Sequence, residues 1–398
     1  MSTQFDLVIL GGGCAGLSLA IRLAELGNRC PRTLIIEQRT VYANDRTWCF
    51  WGDTNTPMQH LAKKKWQHVA LQTPAAQVIM QCDATPYHMI PAAAFYNEAM
   101  ATIERTSAIE LVMGTSLSIP PRRVGGKWQL NASRGLCEAD MVVDTRPGPG
   151  PKAGGATMWQ SFYGHEIVCD HACFDPTYVG LMDFDTTDPA RIFFTYTLPL
   201  SDRHALVEVT QFGPVPLPPE ALETALRADI AKRVNGAAFR IERSEHGILP
   251  MGNHHKRHNC SSDIQSDPSY VYAGLMQGGA RPATGYAFQR IQQWATTCAD
   301  QLGRGQLPLS HRADPILLRA MDHLFLSVLR SHPSLAPALF LRLFDKVNNA
   351  SLIRFLNDCA TMSDYAAIIA ALPAAPFLRQ IPATLKRITL RYLKELNS

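Results

Sequence analysis

The stretch VILGGGCAGLSLAIRLAELG, beginning at Val8, constrains this chain more than any other. Asp6 to Leu10 read as a buried β-strand, Gly11 to Gly16 as a tight turn, Ala15 to Leu26 as a helix and Thr33 to Glu37 as a second strand. Together they make a βαβ unit. Within it Gly11, Gly13 and Gly16 form G-x-G-x-x-G, and Glu37 follows about 20 residues later at the end of the second strand. One glycine makes the turn, one lets the backbone approach a pyrophosphate, and one lets helix and strand pack closely. The helix amino terminus favours the phosphate charge. Glu37 is the expected acceptor for an adenosine ribose. Glycine turns also occur without ligands, but strand, helix and terminal acid together point to a bound dinucleotide.

With 398 residues the chain has the length for a large core and two or three domains. Its 38 basic and 34 acidic residues leave a net charge of +4 without a polybasic block, so charge gives no support for a nucleic-acid partner. Ten cysteines are scattered, and a first strand starting near Phe5 leaves no room for a signal peptide, which predicts a reduced, cytoplasmic protein. Cys169, His171 and Cys173 in CDHAC lack a second Cys/His pair of matching spacing, and His254, His255 and His258 sit in a polar stretch without a carboxylate pattern. No metal site is expected. No apolar run reaches the roughly 20 residues of a membrane span, so any membrane contact is expected to be peripheral.

Beyond the βαβ unit come NDRTWCFW, sheet-like runs from Trp66 to Met80, helical spacing in PAAAFYNEAMATIERT, and DMVVDTR, which reads as a parallel strand returning to the first sheet. From Trp159 to about Leu249 short strands alternate with turns around one helix in PVPLPPEALETALRADIAKRV. SYVYAGLM is strand-like, ATGYAFQRIQQWATTCADQL is a strong helix, and after about Gly305 only helical signals remain. A nicotinamide enzyme of this type continues with regular βα units, whereas this chain inserts a large antiparallel region before it returns. That organisation suits FAD. The expected class is therefore α/β, with a Rossmann-like, glutathione-reductase-like FAD-binding domain over 1–305. This domain is discontinuous, carries an inserted β-rich substrate region over about 156–255, and is followed by a helical cap over 306–398. The return segment carries Gly279, Thr284, Gly285 and Tyr286 as cofactor-binding candidates and places a helix amino terminus near Ala283 to Tyr286. The positive end of that helix would favour an anionic reduced flavin.

Taken in order, DLVILGGGCAGLSLAIRL, NDRTWCFW, VVDTR, WQSFYGHEI, FFTYTLPLSDRHALVEVTQF, GILPMG and GARPATGYAF resemble the FAD-containing lycopene β-cyclases of carotenoid biosynthesis, particularly their bacterial branch. The likeness runs over nearly the whole chain and includes LFDKVNNASLIRFLNDCATMSDYAAIIAALPAAP. It implies an isomerisation without net redox change. An acid protonates a terminal alkene of lycopene or a similar acyclic carotenoid, a neighbouring alkene attacks the cation, and proton loss yields a β-ionone ring. It implies a flavin that must be reduced, with NAD(P)H as the reductant.

The family's acidic motif matches at LVEVT, which places the catalytic carboxylate at Glu208, with Thr210 retained and Val209 where relatives carry a second acid. Alkene protonation needs a donor that is neutral near pH 7, a state that burial favours in a carboxyl group. Glu166 in YGHEI has three readings: orienting the flavin, acting as a secondary acid, or structural hydrogen bonding. Asp144 and Arg146 either close a strand-ending turn or contact the flavin, and Arg46, Thr47 and Trp48 belong to a loop near the cofactor. Among Phe194, Tyr196, Phe212 and Tyr286, the last is favoured as a site residue because its motif abuts the expected flavin.

The final PATLKRITLRYLKEL places Lys386, Arg387, Arg391 and Lys394 beside Leu385, Ile388, Tyr392 and Leu396, an amphipathic basic pattern that suits either a membrane surface or packing on the protein itself. Two further activities share parts of this sequence pattern: a flavin monooxygenase and a cyclase of another terpenoid or prenylated substrate. The former carries Gly-Asp in its second flavin motif, where this chain has Gly274 and Leu275. A non-catalytic carotenoid carrier is the third alternative.

Overall fold

The computed structural model describes residues 3–133, 135–147, 156–252 and 267–381; His254, His255, His258 and the basic segment from Lys386 to Lys394 lie outside them. β1 (Thr3–Leu10) leads through the glycine turn into α1 (Cys14–Ala24) and β2 (Thr33–Ile36). β3 (Thr47–Trp51), β4 (Lys64–Trp66) and the β5 (His68–Thr73) to β6 (Ala76–Gln81) hairpin follow. β7 (Tyr87–Pro91) then runs into α2 (Ala92–Glu104). β8 (Ile109–Val112), β9 (Arg122–Val124), β10 (Lys127–Ala132) and β11 (Gly135–Asp144) complete the amino-terminal part. β12 (Met158–Cys169), β13 (Tyr178–Asp185), β14 (Ile192–Pro199) and β15 (His204–Gly213) precede α3 (Glu220–Val234). In α3, Glu220 and Glu223 open the helix and Lys232 and Arg233 close it, complementing its dipole. β16 (Phe239–Met251), β17 (Tyr270–Tyr272) and α4 (Phe288–Leu302) lead to a carboxy-terminal helical group. Its members are α5 (Ile316–Ser331), α6 (Ala336–Lys346), α7 (Asn349–Leu356) and α8 (Met362–Ala371), the last opened by a Thr361/Asp364 capping box.

Among the described residues the strands make two seven-stranded sheets and one of three strands. The first has the parallel order β8-β2-β1-β11, with β10 and β9 antiparallel beyond β11 and β17 parallel to the end of β11. DMVVDTR does return beside the first strand, with Asp144 opposite Leu10 at the carboxyl ends where such sheets bind ligands. The second sheet runs β16-β12-β15-β14-β13-β5-β6. It reaches outside 156–255, because the β5–β6 hairpin joins it through a parallel pairing of β5 with β13. Strand periodicity carries no trace of so distant a partner. β3, β7 and β4 form the small sheet.

α4 begins later in the chain than its sequence pattern predicts. The sequence places its start near Ala283 to Tyr286, and the structure starts it at Phe288. Gly285 (φ 72°) and Ala287 (φ −130°, ψ −32°) are outside helical geometry. Residues 281–286 instead form a closed turn, in which the Gly285 and Arg281 amides donate to the Arg281 and Tyr286 carbonyls, both at 2.9 Å.

β1, α1, α2 and α4 share one apolar core that includes Leu7, Ile9, Leu17, Phe95 and Trp294. The second sheet is covered on both faces. Leu198, Leu206 and Phe194 pack with Leu326, Leu339 and Leu352 of the carboxy-terminal helices, while Val207 and Val209 pack against Leu222, Leu226 and Ile230 of α3. That double cover explains why HALVEVTQFG is buried at nearly every position. No single described helix is long and apolar enough to cross a membrane; Ile316–Ser331 and Pro333–Lys346 meet that standard only together, bent by 112°.

Candidate active site

The glycine turn has the shape a dinucleotide requires. Gly11 has φ 95°, a conformation side chains disfavour, and a Cβ on Gly16 would lie 2.0 Å from the Gly11 carbonyl oxygen. Gly13 faces the other way: a Cβ there would meet only Arg39 Nη2, at 4.0 Å. Gly13 caps α1 without a side-chain hydrogen bond, and the first turn holds no acid, so its amides and positive end are free for an anion. Glu37 accepts from the Gly12 amide at 2.7 Å and from the Arg39 amide and Nε at 2.8 and 3.1 Å. Burial pushes its pKa up, but the Arg39 hydrogen bonds and charge and the Gly12 amide outweigh it and leave Glu37 below the ordinary value, an ionised acceptor. Arg39 has no signal in the sequence, yet its Nη2 also reaches the Gly12 carbonyl at 2.9 Å. Asp144 accepts from Arg146 Nη2 at 2.6 Å and from the Tyr270 hydroxyl at 2.7 Å, contacts that make the strand-ending turn. A Cβ on Gly279 would come within 2.6 Å of the Gly274 carbonyl, and one on Gly274 within 3.3 Å of Ala15 Cβ; the return loop thus packs on the start of α1.

In the second sheet Tyr196, Glu208, Gly164 and Glu245 lie in register across β14, β15, β12 and β16. Paired residues on neighbouring strands share a face, so the two glutamates flank a glycine on the same side. A Cβ on Gly164 would sit 2.9 Å from Glu208 Cβ, so only glycine leaves room for them. Both glutamates are buried, at 7% and 5% exposure. Glu208 accepts from the Thr210 hydroxyl at 3.2 Å. Glu245 is clamped by Arg243 Nη1 and by the Thr47 hydroxyl, which donates at 2.7 Å. Arg243 also donates to Thr47 Oγ1 at 2.7 Å and to Glu166 at 2.5 Å, and His204 Nε2 lies 2.7 Å from the other Glu166 oxygen.

These contacts bear unequally on the carboxyl groups. Burial, then the negative charge of Glu245, push Glu208 well above the ordinary carboxylate range, against opposing pulls from Thr210 and Arg243. Burial raises Glu245 as well, but the charge and hydrogen bond of Arg243 and the Thr47 hydroxyl oppose it directly. Glu245 is still raised on balance, but of the two it is the one with a guanidinium and a second donor favouring its charged form. Burial also acts to raise Glu166, yet His204, Arg243 and Lys63 bring it down to about 2. Of its three readings, structural hydrogen bonding is the one its contacts support: Glu166 is the counter-ion of Arg243.

β3 presents Thr47, Cys49 and Trp51 on one face by strand alternation. The Tyr87 and Tyr196 hydroxyls are 3.0 Å apart, and the Trp51 ring packs on Tyr87 and Tyr286 at centroid distances of 4.6 and 5.6 Å. Burial pushes the Cys49 thiol up to about 12 and raises the Tyr87, Tyr196 and Tyr286 phenols, so all four stay neutral. Cys49, Trp51, Tyr286 and Phe288 line a cleft. Thr284 Oγ1 accepts from the Tyr286 amide at 3.2 Å, and a Cβ on Gly285 would meet Gln160 Oε1 at 3.1 Å, so this turn lies against the acid-bearing sheet. A neutral carboxylic acid among aromatic rings can protonate an alkene, and the ring faces can steady the cation.

Sequence reasoning passed over Glu245, Arg243 and Gly164. The available signal was position: Glu245 stands just before GILPMG and Gly164 within WQSFYGHEI. Val209 is fully buried on the α3 face, opposite to Glu208, so it takes no part in the face that carries the acid. The second acid on that face comes from β16.

A parallel sheet joined to an antiparallel sheet and a carboxy-terminal helical group is the fold shared with solved flavin-dependent proteins. It is similar to a geranylgeranyl bacteriochlorophyll reductase-like protein from Thermoplasma acidophilum, at 13% identity, 98% coverage of this chain, 99% of that one and a TM-score of 0.59. It is also similar to a flavin-dependent brominase, at 13% identity, 97% and 100% coverage and a TM-score of 0.60. The family described as lycopene cyclase protein matches residues 6–381. The chain is 27% identical over 320 residues to a lycopene beta-cyclase of Pseudescherichia vulneris, covering 76% of each. It belongs to the lycopene cyclase family.

Proposed function

We propose that this protein is a lycopene β-cyclase, a redox-neutral, reduced-FAD-dependent enzyme that closes the acyclic ends of lycopene or a similar carotenoid into β-ionone rings. The observation that carries the reading is Glu208, a buried carboxyl on a face it shares with Tyr196, which burial and the charge of Glu245 raise well above the ordinary range. It donates its proton to the terminal alkene, the neighbouring double bond attacks the resulting cation, and loss of a ring proton restores the alkene. One C–C bond forms, one proton enters and one leaves, and no electrons are exchanged. Trp51, Tyr87, Tyr196 and Tyr286 exclude water and offer π faces to the cation.

FAD fits the first sheet on the grounds of the cradle: Gly11 and Gly16 shape the turn, the α1 amides at Gly13 would hold the pyrophosphate, and Glu37 would hold the ribose. Gly279 in the return loop and Thr284, Gly285 and Tyr286 in the 281–286 turn would meet the isoalloxazine. A reduced flavin held by these residues would supply negative charge that favours a cationic intermediate. NAD(P)H is the proposed reductant. The proposed setting is a cytoplasmic enzyme peripherally associated with the membrane that holds its apolar substrate.

The test is anaerobic incubation with lycopene in liposomes and reduced FAD, with products followed by chromatography. Ring products from wild type but not Glu208→Gln, without net flavin oxidation, are expected. No product from a flavin-loaded preparation would refute the reading, and steady NADPH and oxygen consumption would favour a monooxygenase. Other terpenoid and prenylated substrates form the parallel arm.

A further inference from the structure

Two buried glutamates meet across Gly164, and their surroundings are unequal. Glu245 has a guanidinium and a hydroxyl both donating to its Oε2, whereas Glu208 has the Thr210 hydroxyl. Arg243 stands between two carboxylates, Glu245 and Glu166, and Glu166 also draws on His204 and on Lys63 at 3.8 Å. Charge on this face is thus matched while Glu208 is neutral. A third carboxylate would have no cation of its own. The other groups facing Glu208 are Tyr196 of β14, Cys49 of β3 and, through them, Tyr87 of β7 and Tyr286 of the 281–286 turn. All four are neutral, so Glu245 and Arg243 are the charges beside it.

We propose that Glu245 is the ionised half of a two-carboxyl, one-proton unit, and that it acts as a positioning residue whose charge, fixed by Arg243 and Thr47, keeps the shared proton on Glu208. The catalytic consequence rests on the cyclase reading; the pair itself does not. Like charges on one dry face cannot both form cheaply, so whichever carboxylate is better partnered ionises and the other holds the proton. The charge of Glu245 makes Glu208 a weaker acid but keeps it loaded at neutral pH. Once Glu208 has given its proton to the alkene, two carboxylates face each other across Gly164. That repulsion drives Glu208 to take up the proton lost from the ring, and the unit returns to its starting state with protons balanced.

The experiment follows the infrared carbonyl stretch of protonated carboxyl groups in the purified full chain as pH is raised. Wild type is expected to show a protonated carboxyl at neutral pH that disappears in Glu208→Gln. In Glu245→Gln it should deprotonate at a pH lower by about one unit or more, while Glu245→Asp, which keeps the charge, retains the wild-type titration. A Glu208 titration unmoved by Glu245→Gln, or a neutral-pH proton that resides on Glu245, would overturn the proposal. Should Glu245→Gln not fold, Glu208→Gln decides alone: Glu245 is expected to be ionised there at neutral pH, and a protonated Glu245 defeats the idea. The alkaline limb of kcat/KM for cyclisation should follow the infrared shift. The expected titrations with no ring product from any variant would support the pair and defeat the cyclase reading instead.

Discussion

The Thr47 hydroxyl donates to Glu245 Oε2 at 2.7 Å and accepts from Arg243 Nη2 at the same distance, tying the NDRTWCFW segment to the acid-bearing sheet. A hydrogen bond to a charged group contributes about 1.5–3 kcal/mol. Thr47→Val, which keeps the shape and removes the hydroxyl, is expected to lower kcat/KM for ring formation roughly ten- to a hundredfold. Thr47→Ser is expected to retain most of it.

The two carboxylates of neighbouring rows should respond to pH in opposite directions. Glu166 falls from an ordinary 4.5 to about 2 in the folded protein, so its stabilisation is present above 4.5 and is lost as pH falls through 2. The stability deficit of Glu166→Gln should therefore narrow as pH is lowered across that window. Glu208 is raised by burial and by Glu245, so its contribution is full below its ordinary value and is lost as pH rises through the folded one. Glu208→Gln is expected to be inactive yet more stable than wild type at alkaline pH, by about 1–3 kcal/mol in denaturant unfolding.

Gly13 and Gly16 separate ligand binding from folding. Gly16→Ala sets a methyl 2.0 Å from the Gly11 carbonyl and is expected to destabilise the protein by several kcal/mol, measured by thermal unfolding. Gly13→Ala meets nothing closer than 4.0 Å. It should fold like wild type but lose flavin, read as FAD absorbance per protein after purification.

Arg281 is fully buried and donates to both oxygens of buried Asp322 on α5, at 3.2 and 3.1 Å, while its guanidinium lies over the Phe355 ring. This pair joins the 281–286 turn to the helical cap. Arg281→Met is expected to cost about 3–5 kcal/mol, because Asp322 is left without its counter-charge. Adding Asp322→Leu should recover part of that loss in denaturant unfolding.

The glycine turn and the return strand were legible because both are local: G-x-G-x-x-G follows β1 and opens α1, and Met141 to Val143 are an apolar run that Asp144 and a turn bring to an end. Glu208 was legible through its motif. The start of α4 was misread because apolar spacing continues across Gly285, where only the backbone angle shows a turn. Glu166 looked like a candidate acid because its motif does not reveal that Arg243, distant in sequence, would ionise it.

By itself, then, the sequence determined the dinucleotide-type βαβ unit, the order of strands and helices, and the family to which the chain belongs, since these depend on short-range spacing and on motif order. The tertiary structure alone decided that Glu208 faces Glu245 across Gly164, that Val209 turns away toward α3, and that Thr47 reaches both Glu245 and Arg243. Those relationships come from sheet register and burial. Register joins strands that are remote in the chain, and burial decides which of two identical carboxyl groups can afford a charge.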